Sequence, residues 1–221
     1  MSLFVHEMAH SPYCIPITAA LRACGVQFVT HEVPNWDRSE VLRLTDGAYY
    51  QVPVLDHDGH LVYETGADTL DVARYVDATF AGGRLFPTRL DGLHSIVIDH
   101  IENELEARTF KLADIHYVPG IADPAHRGMV TRHKERRFGR GCLEQWAANA
   151  AQLRAEADAL LARFESALNR STFLFGDAPV YADFALFGIL GNLTYRGWNH
   201  LSPDQAALAA WRERLDAWRY P

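Results

Sequence analysis

At 221 residues, 48% hydrophobic and 22% charged, the chain has the make-up of an ordinary soluble protein, either one large domain or two small ones. No apolar run approaches the roughly 20 residues of a membrane span, so no membrane partner is expected. A formal charge of −7 also argues against nucleic acid, whose affinity comes chiefly from neutralising phosphates.

Residues 3–8 read as a strand, broken at His10-Ser11-Pro12. Ile17, Leu21 and Cys24 then follow at helical spacing, with Gly25 as the stop. A second strand over 27–33 leads through a polar loop to Ser39, which can cap a short helix ending at Leu44. Val52-Pro53-Val54-Leu55 and Leu61-Val62-Tyr63 are joined through Asp58-Gly59, a strong hairpin signal. A helix is predicted over 66–79. The order strand, helix, strand, helix, strand, strand, helix is that of a thioredoxin-like domain.

Glycines and a proline in Ala81-Gly82-Gly83-Arg84-Leu85-Phe86-Pro87 mark a linker. The predicted division is 1–82, a linker over 83–92, and an all-helical domain over 93–221; the fold class is α/β plus all-α. In the second part Ile98, Ile101 and Leu105 mark one helix, and Leu143, Trp146, Ala150, Leu153, Ala157, Leu160 and Phe164 step along another. Residues 184–193 are apolar nearly all round, which places that helix at the centre of a bundle. Leu208, Trp211, Leu215 and Trp218 give one further face, and Trp146, Trp211 and Trp218 read as core.

Ser11-Pro12 is a helix start, with serine as N-cap and proline at the first helical position. Read alone, Ser11 is either a plain cap or the contact for an anion held by the free amides and partial positive charge of the helix end. A bound thiolate would gain roughly 0.3–2 kcal/mol from the dipole and about 1.5–3 kcal/mol from a hydroxyl hydrogen bond. At about 1.4 kcal/mol per unit, this lowers a thiol pKa by roughly one to three units. Pro53, at a strand start, fits a plain edge or turn; a cis bond there would present the Val52 backbone to a peptide ligand like an added strand. Glu64-Thr65 precedes a helix, where Thr65 can cap or receive a carboxylate and Glu64 can hold an ammonium group.

Together, Ser11-Pro12-Tyr13-Cys14, Gln51-Val52-Pro53-Val54-Leu55 and Tyr63-Glu64-Thr65 resemble the three glutathione-contacting elements of the glutathione transferase superfamily, and an all-helical second domain is also that family's pattern. The resemblance implies glutathione as co-substrate, with Ser11 bonding its sulfur and the Val52 backbone, before Pro53, pairing with the cysteinyl unit. Glu64 and Thr65 would hold the γ-glutamyl end, and Gln51 would reach the glycyl end. It further implies a cytoplasmic homodimer acting in detoxification, conjugating glutathione to a small hydrophobic electrophile. Tyr13, Cys14 and Trp36 are candidate ligand contacts. Gly176-Asp177-Ala178-Pro179-Val180-Tyr181-Ala182-Asp183 is similar to the family's buried capping motif, with Val180 where Ser or Thr is usual.

The segment 127–140 carries Arg127, Arg132, Lys134, Arg136, Arg137 and Arg140 against Glu135 alone. It reads as a solvated face, or, since Arg132, Glu135, Phe138, Gly139 and Leu143-Glu144 resemble aryl-ether-cleaving members of the superfamily, as a wall of the acceptor pocket. His116, Tyr117 and Phe138 are then pocket candidates. Reduction, isomerisation and non-catalytic glutathione binding remain alternatives. Cys14 lacks the first cysteine of a C-x-x-C pair, and Pro16 is expected to distort its helix. Met1-Ser2-Leu3-Phe4-Val5-His6-Glu7-Met8 lacks a basic region, so no secretory signal is expected. Cys14, Cys24 and Cys142 show no disulfide or metal spacing, which favours a reducing cytoplasm. The eleven histidines form no metal-binding motif, and no metal is expected.

Overall fold

Leu3 and Val5 point from the first strand into the core with no more than 3% exposure, and around this strand the first unit assembles. The computed structural model describes residues 2–66 and 70–221. Strands β1 (Leu3–Glu7), β2 (Val29–Glu32), β3 (Val54–His57) and β4 (His60–Val62) form a sheet of order β2-β1-β3-β4. β1 runs parallel to β2 and antiparallel to β3, with Val5 opposite Thr30 and Leu55. With α1 (Cys14–Ala23), α2 (Ser39–Leu44) and α3 (Asp71–Val76), this is a thioredoxin-like arrangement. The helical domain follows with α4 (Asp91–Asp99), α5 (Glu106–Tyr117), α6 (Pro124–Phe138), α7 (Cys142–Ala148), α8 (Ala150–Leu168), α9 (Tyr181–Leu193) and α10 (Ala206–Asp216). Among the described residues, no helix is long and apolar enough to cross a membrane.

Several local expectations change. Ser39 is the first residue of α2 rather than its cap, and its amide donates instead to the Asp37 carboxylate at 2.9 Å. Pro16 falls in the first turn of α1, where amides lack intrahelical acceptors anyway, so it forces no distortion. Between Leu143 and Phe164 the apolar stripe continues, but Asn149 leaves helical geometry (φ −101°, ψ 14°) and divides it into α7 and α8. The helix predicted over 66–79 is realised as α3 followed by a wide, π-type turn at Asp77–Ala81; residues 67–69 of that prediction lie outside the described residues. A second wide turn, His100–Leu105, separates α4 from α5. Trp211 is fully buried and Trp146 nearly so. Trp218 is only partly buried, its ring 5.0 Å from Phe173.

Every residue of α9 is buried, as its uniformly apolar sequence requires. Two glycines let it lie directly on α1. A Cβ at Gly188 would sit 2.6 Å from Pro16 Cδ and inside contact distance of the Pro12 carbonyl oxygen, while one at Gly191 would meet the flexible end of Ile15 at 3.0 Å. Alanine for glycine in a helix interior ordinarily stabilises by roughly 0.5–1 kcal/mol. At Gly188 the sign reverses, because neither a backbone oxygen nor a proline ring can yield. Gly188→Ala is expected to lower stability by about 1–3 kcal/mol, read as a reduced urea midpoint. An unchanged or raised midpoint would show that the interface is looser than this.

Candidate active site between the sheet and the helical domain

β1 ends at Glu7, and the chain turns sharply before α1. The Ser11 amide donates to the Met8 carbonyl at 2.7 Å, and the Ser11 carbonyl accepts from Cys14 and Ile15. The Ser11 hydroxyl oxygen accepts from the amides of Tyr13 (3.2 Å) and Cys14 (3.3 Å). It thus satisfies two amides of the turn leading into α1, whose N-cap position is held by Tyr13, and the hydroxyl also hydrogen-bonds the buried Cys14 thiol. Ser11 is 3% exposed and still contributes to the wall of a cleft of about 1590 Å³. Cys14 lies behind it, fully buried and absent from the cleft wall. Burial pushes its thiol up to about 12, against a smaller opposing pull from the Ser11 hydroxyl.

Gln51, Val52, Pro53 and Glu64 line the same cleft, as do Tyr13 and Trp36. The Val52–Pro53 peptide is cis, and neither the amide nor the carbonyl of Val52 has a backbone partner among the described residues. The Glu64 carboxylate accepts from the amides of Asp71 (2.7 Å) and Val72 (3.3 Å), so it is Glu64 that caps α3. Its burial pushes the carboxyl up to about 7, which these two amides partly oppose. Thr65 neither caps the helix nor lines the cleft: its amide and hydroxyl both donate to Asp71, at 2.6 and 2.8 Å.

The opposite wall is α5 and α6. Trp36 stacks on His126, with centroids 4.7 Å apart and planes 8° from parallel. Phe138 packs at 5.2 Å from Phe110 and 5.3 Å from Trp146. Beneath them Lys134 pairs with Asp114 at 2.5 Å. Burial raises the Glu106 carboxyl to about 7. The basic segment is therefore both exposed and part of the cleft wall.

Of the three acceptor-pocket candidates only Phe138 reaches the cleft. His116 is exposed outside it, and Tyr117 packs under His10 at 4.2 Å instead. Burial lifts the Tyr117 phenol to about 12 and lowers the His10 imidazole to about 4. Both residues belong to the platform carrying the Ser11 turn, which the Asn192 amide also holds by donating to the His10 carbonyl at 2.6 Å.

Residues 10–79 match the model of the glutathione S-transferase N-terminal domain, and 144–219 that of the C-terminal domain. The chain belongs to the glutathione transferase superfamily. Among curated relatives, a probable glutathione S-transferase GSTU6 of Oryza sativa subsp. japonica is 27% identical over 94% of this chain and 81% of its own. Solved structures of similar fold include glutathione transferase GSTFuA3 from Phanerochaete chrysosporium (TM-score 0.80, 18% identity, 100% and 98% of the two chains). Another is CsGST83044 of Ceriporiopsis subvermispora in complex with glutathione (TM-score 0.77, 18% identity, 97% and 96%).

Sequence reasoning passes over several cleft residues of this superfamily member. Arg38 is half-buried in the cleft wall; its Nη2 donates to Asn35 at 3.0 Å, and its Nη1 is buried with no partner among the described residues. Glu106 and Asn192 escape it as well. Only Asn192 leaves a trace, as a lone amide in an otherwise apolar helix.

Proposed function

We propose that this protein is a glutathione transferase in which Ser11 and the first turn of α1 hold the glutathione thiolate for attack on a small hydrophobic electrophile. The observation that carries the reading is the Ser11 hydroxyl, which takes two amides of the turn leading into α1 and stands in the cleft wall, where its proton can turn from the neutral Cys14 thiol to a charged acceptor. That proton and the helix dipole both favour an anionic sulfur. The cleft's volume of about 1590 Å³ exceeds the roughly 300–1,000 Å³ typical of one small-molecule site, which supports a donor and an acceptor bound together. Proximity and electrostatics then supply the rate.

The remaining contacts follow from charge. The unpaired backbone of Val52 suits the cysteinyl unit, as an added strand would. Arg38, a half-buried cation with an unused donor, suits the glycyl carboxylate, with Gln51 beside it. Glu64, poised near neutrality, becomes fully ionised when an ammonium approaches. The γ-glutamyl carboxylate exchanges for that of Asp71 on the Thr65 donors. A cytoplasmic homodimer goes with this reading.

The test is calorimetric titration with glutathione, followed by turnover assays with aryl halides, epoxides and isothiocyanates, with the mass of the same sample taken by light scattering. Glutathione binding and turnover of at least one acceptor are expected, at twice the chain mass. Binding with no turnover would leave a glutathione-binding protein without transferase activity, and no binding would end the assignment.

A further inference from the structure

The cleft wall formed by α6 carries more positive charge than its carboxylates answer, in a chain whose formal charge is −7. Two of its cations are matched, Lys134 by Asp114 and Arg132 by Glu135. Arg127 donates to the Ile121 carbonyl at 2.7 Å. Arg136 and Arg137, in the last turn of α6, and Arg140, just beyond it, also line the cleft, with no hydrogen bond or ion pair among the described residues. A helix dipole favours cations at its C-terminal turn, but it does not account for three of them lining one cleft. Their charges converge. The His133 imidazole, in the same wall, is held below its usual range by burial first, then by Lys134, Arg137 and Arg136, and by Arg38 from the other side of the cleft. The Arg137 guanidinium lies over the Phe138 ring, 5.2 Å from its centroid, and Phe138 packs 5.2 Å from Phe110. Positive charge and aromatic surface are thus adjacent. Glu106 on α5 faces Arg137 without an ion pair to it, and burial holds its carboxyl at about 7, so it cancels only part of this charge.

We infer that the acceptor taken by this cleft is an aromatic carboxylate, its ring against Phe110 and Phe138 and its negative group held by Arg137, with Arg136 and Arg140 adding to the field. This rests on the thiol-transfer reading above and narrows it: the electrophile is hydrophobic over its ring and anionic at one end. A guanidinium is planar and matches a carboxylate with two parallel donors. A cleft lined by one sign of charge also concentrates ligands of the other. Without such a ligand the three arginines only repel one another across the wall. The carboxylates of glutathione are accounted for at Arg38 and Thr65, which leaves these arginines to the acceptor. A neutral aromatic acceptor would use the rings and gain nothing from the charge beside them.

The experiment compares 4-chloro-3-nitrobenzoate with the neutral 4-chloro-3-nitrobenzamide, each losing chloride to glutathione. Both are assayed with the wild type, with a triple variant Arg136→Gln, Arg137→Gln, Arg140→Gln, and with the triple variant carrying lysine at the same positions. Each kcat/KM is divided by the uncatalysed rate constant, since the two rings differ in reactivity. The benzoate-to-benzamide ratio should exceed one in the wild type. It should fall by about 10-fold to 100-fold in the glutamine variant, the scale of one lost charge-assisted hydrogen bond, and be largely kept by lysine. Added salt should lower the ratio in the wild type and leave it unmoved in the glutamine variant. Calorimetric titration with 3-nitrobenzoate and 3-nitrobenzamide, which have no leaving group, reads the same preference without turnover. The three side chains are exposed, so the thermal midpoint should hold in both variants. A wild-type ratio at or below one, or a ratio unmoved by glutamine, would overturn the inference. So would a glutamine variant that loses glutathione affinity while the ratio holds, since the arginines would then serve the donor. A wild type that turns over neither chloride yet binds 3-nitrobenzoate through these arginines would overturn the transferase reading and leave the anion site standing. One that neither turns over nor binds any of the four compounds would overturn the inference itself.

Discussion

Ser11→Ala is expected to slow conjugation at pH 7 by roughly ten-fold to 100-fold. The basis is the hydroxyl proton, which a charged sulfur in the cleft draws away from its contact with the neutral Cys14 thiol. A hydrogen bond to a charged sulfur is worth about 1.5–3 kcal/mol, and each 1.4 kcal/mol is a factor of ten in rate. Because the lost interaction favours the thiolate over the thiol, the pKa of bound glutathione should rise. The deficit should therefore shrink when the assay is run near pH 9, where the thiol ionises without help. Loss of the two amide contacts of the Ser11 oxygen also costs about 0.5–2 kcal/mol of stability, so the thermal midpoint must be measured beside the rate. The decisive reading is the pH–rate profile: if the variant and wild type superimpose from pH 6 to 9, Ser11 has no part in ionising the thiol.

Cys14 does not offer a replacement nucleophile. It carries no exposed surface, and burial holds its thiol up at about 12. A protein thiolate there would be both unreachable and too costly to form near neutral pH. On the proposed reading, the thiol served by the opening turn of α1 is therefore one that a ligand brings into the cleft.

What the sequence makes legible is what local chemistry decides. Ser11-Pro12 announces the turn into α1, two residues ahead of its first helical residue at Cys14, and Gly25, in the left-handed region at φ 69°, announces its end. Asp58-Gly59 announces the β3–β4 hairpin, and the unbroken apolar run of 184–193 announces the central helix. In each case neighbours in the chain determine the conformation. Thr65 shows the opposite case. Its hydroxyl could cap a helix, but Asp71, six residues on, supplies a carboxylate that takes both of its donors, and Glu64 becomes the cap. No spacing rule chooses between two acceptors.

The break at Asn149 is hidden for a related reason, since the apolar stripe of α7 and α8 stays in phase across it. The acceptor pocket is least legible. Periodicity cannot show that Tyr117 packs under His10 rather than facing the cleft. Nor can it show that Glu106 stands half-buried in the cleft wall beside Phe110 and Phe138. Those facts belong to the packing of α5 against three other elements, and only the assembled helices state them.

Asp183→Ala is expected to cost more stability than any other single change proposed for this chain. The Asp183 side chain is fully buried. It accepts from the amide of Leu174 at 2.9 Å, the amide of Val180 at 3.0 Å and the indole nitrogen of Trp211 at 3.0 Å. Val180 has no hydroxyl, so its contribution to the turn is the carbonyl that accepts from the Asp183 amide at 2.9 Å. One carboxylate thus fastens the start of α9 to the preceding loop and to α10. Burial lifts the carboxyl to about 6 and the three donors pull it back down, which is why an ion survives in this interior. Alanine would strand three buried donors at about 1–3 kcal/mol each, against a total stability of roughly 5–15 kcal/mol for a domain. Chemical denaturation should show most of that stability gone, or the chain should be recovered only from inclusion bodies. Asp183→Asn, keeping one acceptor oxygen of the same shape, should fall between the alanine variant and the wild type. An Asp183→Ala protein whose denaturation midpoint stays near the wild type's would mean that water or a shifted backbone satisfies all three donors, and that the start of α9 is held by packing alone.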